Sequence, residues 1–185
     1  MASRRSDGDP VSKDFEIRLF TADDSRAVID LFVRVNRLLA PPGMADAFET
    51  YIARSLVDEI DRVIDYYEEK RGGFWVAVAD GPLAGMFGLE ASGKDAMELR
   101  RMYVDPAFQG RGIGRTMLTF AEDECRLRGY ARMDLSTSEL QKDALRLYRN
   151  AGYKLLREEI AAEQSNKTLG GGIRRYYFSK PLGQS

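Results

Sequence analysis

The sequence contains no histidine and a single cysteine, Cys125, among 185 residues. The first absence removes the usual general base, the Ser-His and Cys-His nucleophile pairs and the commonest zinc ligand. The second excludes an intrachain disulfide and any multi-cysteine metal site, so no metal is expected. No apolar run approaches the roughly 18 residues that cross a bilayer, and residues 1–9 carry no hydrophobic signal-peptide core. A soluble, cytoplasmic protein with no membrane partner is the expectation. Charge of one sign is also missing: 28 Lys plus Arg face 29 Asp plus Glu, a net charge of −1, which gives no general pull toward nucleic acid. Any proton chemistry must come from carboxylates, tyrosine, lysine, water or backbone amides.

What is present describes one folded domain. With 44% hydrophobic and 31% charged residues, a chain of this length buries roughly two thirds of its surface. Residues 1–13 are polar and aperiodic and read as a mobile tail, leaving 14–182 as the domain. Alternation predicts a strand over Phe15–Phe20. Thr21 to Asp24 open a helix that runs to Leu39, where Pro41-Pro42-Gly43 stops it. A second helix is expected over Ala45–Lys70, with Phe48, Ile52, Leu56, Ile60, Val63 and Tyr67 on its apolar face and Glu49, Asp58 and Glu59 among the residues of its solvated face. An antiparallel meander follows over Phe74–Ala79, Leu83–Ala91 and Ala96–Val104.

After Pro106–Gly114, a third helix carries Ile113, Met117, Phe120, Ala121 and Cys125 on one side and ends near Gly129; Cys125 reads as packing rather than as a nucleophile. Arg132–Ser136 is a short strand, and Ser138 with Gln141 forms a capping box for a fourth helix ending at Gly152. Tyr153–Ile160 and Ile173–Lys180 are final strands. The fold class is therefore α+β: a mixed, mostly antiparallel sheet of about seven strands with about four helices.

The chemically informative segment runs from Glu98 to Arg115. A strand leaves through Asp105-Pro106 into backbone rich in glycine that opens a helix, so amide N–H groups and the helix N-terminus converge on one place. Such an arrangement cradles phosphate. The spacing is not that of a Walker loop, which needs Gly-Lys-Ser/Thr, nor of a Rossmann fingerprint, because Gly110, Gly112 and Gly114 alternate. A glycine turn that merely caps a helix is the bland alternative.

Gln109-Gly110-Arg111-Gly112-Ile113-Gly114 resembles the Gln/Arg-x-x-Gly-x-Gly/Ala motif of the GCN5-related N-acetyltransferase (GNAT) superfamily, and Ala144 to Tyr153 resembles its Ala-x-x-Leu-Tyr-x-x-x-Gly-Phe/Tyr motif. The resemblance spans Phe15 to Lys180. It implies a central sheet splayed apart to admit acetyl-CoA, the acyl donor. It further implies that Gln109 and the amides of Gly110, Arg111, Gly112, Ile113, Gly114 and Arg115 hold the pyrophosphate. The backbone of Met102, Tyr103 and Val104 would pair with the pantetheine arm, and the Val104 N–H would polarise the thioester.

By the same resemblance Tyr148 is the acid for the departing sulfur, and Glu98, eleven residues before Gln109, is the base. The alternatives are aromatic packing for Tyr148 and, for Glu98, an ion pair with Arg100 or Arg101. Glu90 is a second candidate base. Gln141 stands where many relatives have an Asn that contacts the pantetheine arm. The acceptor, a primary amine of a small molecule or peptide, would enter between Thr21–Lys70 and Gln164–Gly172. A Gly170-Gly171-Gly172 lid is expected over it, and Asp46, Glu49 and Asp58 are nearby acids. The competing reading is a non-catalytic acyl-CoA sensor. An exposed final strand, Arg174–Lys180, could pair two chains into a homodimer.

Overall fold

Phe74, Trp75, Val76 and Ala77 are all buried, and because successive strand residues face opposite ways, both faces of their sheet must be covered. Phe74 and Val76 pack into one apolar core and Trp75 and Ala77 into another. The computed structural model describes residues 15–160, 162–165 and 167–183. The expected tail at 1–13 lies outside them.

The strands are β1 (Glu16–Leu19), β2 (Gly73–Val78), β3 (Leu83–Ala91), β4 (Ala96–Val104), β5 (Arg132–Ser138), β6 (Lys154–Ile160) and β7 (Arg174–Pro181). They form one seven-stranded sheet in the order β1-β2-β3-β4-β5-β7-β6. Among the described residues the only parallel pair is β4 with β5. The mixed, mostly antiparallel α+β expectation holds. Helices α1 (Ser25–Leu39), α2 (Ala45–Asp58) and α3 (Val63–Glu69) bury Phe32, Ile52, Val63 and Tyr67 against one face. Helix α4 (Ile113–Leu127) and helix α5 (Lys142–Asn150) supply Ile113, Met117, Ala121, Cys125 and Tyr148 to the other. No helix among the described residues is long and apolar enough to cross a membrane.

Three expectations are corrected. The helix expected over Ala45–Lys70 breaks at Glu59, whose φ of −144° and ψ of −57° end α2, and a 3-10 turn over Ile60–Arg62 leads into α3. The break turns Glu59 inward and divides the expected helix into α2 and α3. The final strand is not an edge: β7 lies between β5 and β6, so Arg174–Lys180 has no free backbone to offer a second chain, and β6 holds that edge. The capping box at Ser138 does not form, because β5 continues through Ser138 and α5 begins at Lys142.

Two irregularities of β4 position the site. Its parallel register with β5 runs from Ala96↔Arg132 to Leu99↔Leu135 and stops there, so the sheet opens beyond Leu99. On its other edge Gly88 pairs with Arg100 and Met86 with Tyr103. Two residues of β4 thus oppose one of β3, and Arg101 takes a left-handed φ of +53°. A bulge of this kind bends the strand and re-aims its side chains.

Candidate functional site

The end of β4 turns at Asp105, whose Oδ1 accepts from the Ala107 amide at 2.9 Å and whose other oxygen is held by Arg34 of α1. Gly110 and Gly112 follow with φ of +80° and +77°, a conformation glycine adopts without the cost other residues carry. A Cβ at either position would meet nothing within 4 Å, so backbone conformation, not crowding, selects glycine there. Helix α4 begins immediately afterwards, and the amides of its first turn, Ile113, Gly114 and Arg115, have no acceptor within the helix. They point their partial positive charge outward.

These amides border a groove of about 630 Å³ that also takes in Met102, Tyr103, Val104, Gln109, Gly110, Gly112, Gln141 and Tyr148. Where β4 and β5 part, the β5-facing edge of β4 lacks a strand partner. Among the residues expected at a donor site, Arg111 is the one outside the groove; it is exposed, and its guanidinium lies over the Phe108 ring, 5.2 Å from the centroid. A phosphate-bearing, extended ligand fits this arrangement: a helix N-terminus with free amides at one end and an unpaired strand edge along the other. Gln141 reaches the groove and accepts from Thr137 Oγ1 at 2.8 Å.

A smaller pocket of about 70 Å³ shares Met102, Tyr103, Gln141 and Tyr148 with the groove. It contains Tyr51, Glu98, Arg100, Arg101, Lys167 and Arg175 as well, so the two catalytic candidates, Glu98 and Tyr148, line one space. Tyr148 is buried and packs edge-on against Tyr153, with ring centroids 6.0 Å apart. Burial pushes its phenol above the ordinary tyrosine range, keeping it protonated at neutral pH. Glu98 does not pair with Arg100 or Arg101. Its Oε2 accepts from Lys167 Nζ at 2.7 Å, and the same Nζ reaches Glu90 Oε1 at 2.9 Å.

The arginines are engaged elsewhere. Glu59, expected on a solvated helix face, is completely buried and accepts from Arg100 Nη2 at 2.8 Å, Arg101 Nη2 at 2.7 Å and Tyr67 Oη at 2.6 Å. Burial pushes the Glu59 carboxyl up, but Arg101 and Arg100 together more than reverse this and hold it below the ordinary range. Arg101 Nη1 also donates to Tyr51 Oη at 2.6 Å. Removing charges from water costs several kcal/mol per ion, and Glu90, which Arg100 Nη1 reaches at 3.2 Å, balances the second arginine. The network fixes the wall of the smaller pocket. Its sequence signal was an acid in a helix facing two adjacent arginines in a strand, which alternation alone assigns to opposite sides of the sheet.

Gln164 and Lys167 anchor their segment on the same side. Gln164 Nε2 donates to the Ala47 carbonyl at 2.9 Å and Arg54 Nη1 to the Gln164 carbonyl at 3.1 Å, tying the loop to α2. Gly170, Gly171 and Gly172 all have positive φ. Glu49 and Asp58 bind Arg37 and Arg54 at the surface, away from the pocket's lining. Cys125 is buried with its Sγ 3.6 Å from Met133 Sδ.

The model of the acetyltransferase (GNAT) family matches residues 43–153. An uncharacterized N-acetyltransferase of Escherichia coli, YjgM, is 30% identical over 98 residues, 51% of this chain and 59% of that protein. N-acetylaspartate synthetase of Danio rerio is 32% identical over 131 residues, 68% of this chain and 43% of that one. The match therefore spans about half the length of these relatives. Among solved structures, the PaiA N-acetyltransferase of Thermoplasma acidophilum in complex with coenzyme A superposes with a TM-score of 0.69 at 20% identity, covering 90% of this chain and 98% of that one.

Proposed function

Because the chain belongs to the acetyltransferase (GNAT) family, we propose that it is an N-acetyltransferase that uses acetyl-CoA to acetylate a primary amine within a ternary complex. The observation that carries this reading is the junction of the groove and the smaller pocket at Met102, Tyr103, Gln141 and Tyr148. One space suits a long phosphate-bearing donor, the other a compact acceptor, and they meet beside an acid and near a base. The name of the zebrafish relative, a maker of an N-acetylated amino acid, accords with amine acetylation.

When bound, acetyl-CoA supplies an activated acetyl thioester. The amides of Gly110, Gly112, Ile113, Gly114 and Arg115 and the α4 dipole would hold its pyrophosphate, and the free edge of Met102–Val104 would pair with the pantetheine amides as an added strand does. The Val104 N–H would polarise the thioester carbonyl. Glu98 takes the amine's proton, directly or through water, and Tyr148 Oη holds a proton for the sulfur. No histidine or nucleophilic cysteine is required by these roles.

Thiol release from acetyl-CoA, followed against a panel of primary amines, tests the proposal. Amine-dependent release above background hydrolysis is expected. Tight CoA binding with no release against any amine favours the acyl-CoA sensor instead.

A further inference from the structure

Glu98, the carboxylate that lines the smaller pocket, and the two behind its wall, Glu59 and Glu90, are all occupied. Glu59 is taken by Arg100 and Arg101, Glu90 by Arg100 and Lys167, and Glu98 by Lys167. One cation there is under-used. Arg175 stands on β7 opposite Ser138 of β5, and its Nη2 donates to Ser136 Oγ at 2.7 Å. Its Nε is buried without any hydrogen-bond partner among the described residues. Glu159, across from it on β6, senses its charge but is hydrogen-bonded by Arg157 Nε at 2.7 Å.

A buried donor left unmade costs about 1–3 kcal/mol, and an orphan of this kind in a pocket marks a place for a ligand acceptor. The group that best matches a guanidinium with a free N–H beside a hydroxyl is a carboxylate, which arginine binds with paired, directional hydrogen bonds. Arg175 lines the smaller pocket and the adjoining recess with Tyr51 and Gln141, while Tyr148 lines the pocket's junction with the donor groove. A molecule with its amine toward the junction and its anionic end toward Arg175 fits. The pocket, at about 70 Å³, requires that molecule to be compact.

We propose that the acceptor carries a carboxylate beside its amine, as a small amino acid does, and that Arg175 is the specificity-determining residue that binds this carboxylate. The inference rests on the N-acetyltransferase reading for the role of the pocket, and its test separates the two. Acceptors are compared in pairs that differ only in the carboxylate, alanine against ethylamine and serine against ethanolamine, with the wild type, Arg175→Lys and Arg175→Met.

The wild type is expected to favour the carboxylate-bearing member by about 100-fold in kcat/KM, a discrimination typical of a site built around a polar group. Arg175→Met abolishes the preference through KM with kcat little changed, and Arg175→Lys restores part of it. The same pairs are also titrated by calorimetry into the CoA-bound protein, a readout independent of turnover. Equal use of both members, or an equal loss for both in Arg175→Met of native circular dichroism, overturns the carboxylate assignment while leaving acetyl transfer intact. Arg175-dependent binding of the amino acids without acetylation supports the assignment and refutes the enzyme reading. Failure of the amino acids to bind or react refutes the assignment.

Discussion

Glu59 Oε2 lies 2.7 Å from Arg101 Nη2 in a fully buried contact that joins the break after α2 to the bulge of β4. The bulge needs this partner. Arg101 sits at a left-handed φ, a conformation that costs of order 1–3 kcal/mol outside glycine and persists only when its surroundings fix it.

Glu59→Gln is therefore expected to cost about 3–5 kcal/mol, the penalty for leaving buried cations without their anion. Urea unfolding measures it, and a loss below about 1 kcal/mol contradicts the role assigned to the pair. The sign of the pH dependence follows from the lowered Glu59 carboxyl. Its stabilisation is complete above the unfolded carboxylate range near about 4.3 and is lost as pH falls below it. The wild type should lose stability on acidification more steeply than the variant.

Much of the scaffold was legible because local pattern and tertiary demand agree in it. The limits of Leu83–Ala91 and Ala96–Val104 follow from the turns that flank them, and the glycines after Gln109 mark the strand-to-helix junction. Glu59 was not legible, because a helical wheel assumes an unbroken helix and this one changes phase there. Arg100 and Arg101 were hidden by the bulge, which cancels the alternation that would send them to opposite faces. Lys167 reaches Glu98 from 69 residues away, and no local pattern encodes that contact. Nor does chain order reveal that β7 inserts between β5 and β6.

The left-handed turn before α4 makes Gly112→Ala a probe of the donor groove. A Cβ finds open space there, so the effect is conformational, about 1 kcal/mol of strain, and coenzyme A affinity should drop by roughly 5- to 10-fold as the amides shift. Calorimetric titration reads this directly. An unchanged dissociation constant argues against the amides as the phosphate site.

Tyr148→Phe keeps the ring packed against Tyr153 and Phe178 and removes only the hydroxyl. A fall in kcat of about 100-fold is expected from loss of the acid, with coenzyme A affinity and melting temperature nearly unchanged. Turnover equal to the wild type refutes the role.

Burial pushes the Cys125 thiol up to about 12, so at neutral pH it is a poor nucleophile. Iodoacetamide should label it only after denaturation, and Cys125→Ala should retain acetyl transfer. Loss of turnover in a folded Cys125→Ala protein points instead to a covalent acetyl-enzyme.

Amine acetylation fixes a single stoichiometry. With acetyl-CoA and a carboxylate-bearing amine present together, free thiol is measured by a chromogenic reagent and the acceptor by mass spectrometry. One acetylated amine should appear for each thiol released. Thiol release without acetylated amine, or no release against any primary amine while coenzyme A binds in the groove, contradicts the claim that this fold performs amine acetylation.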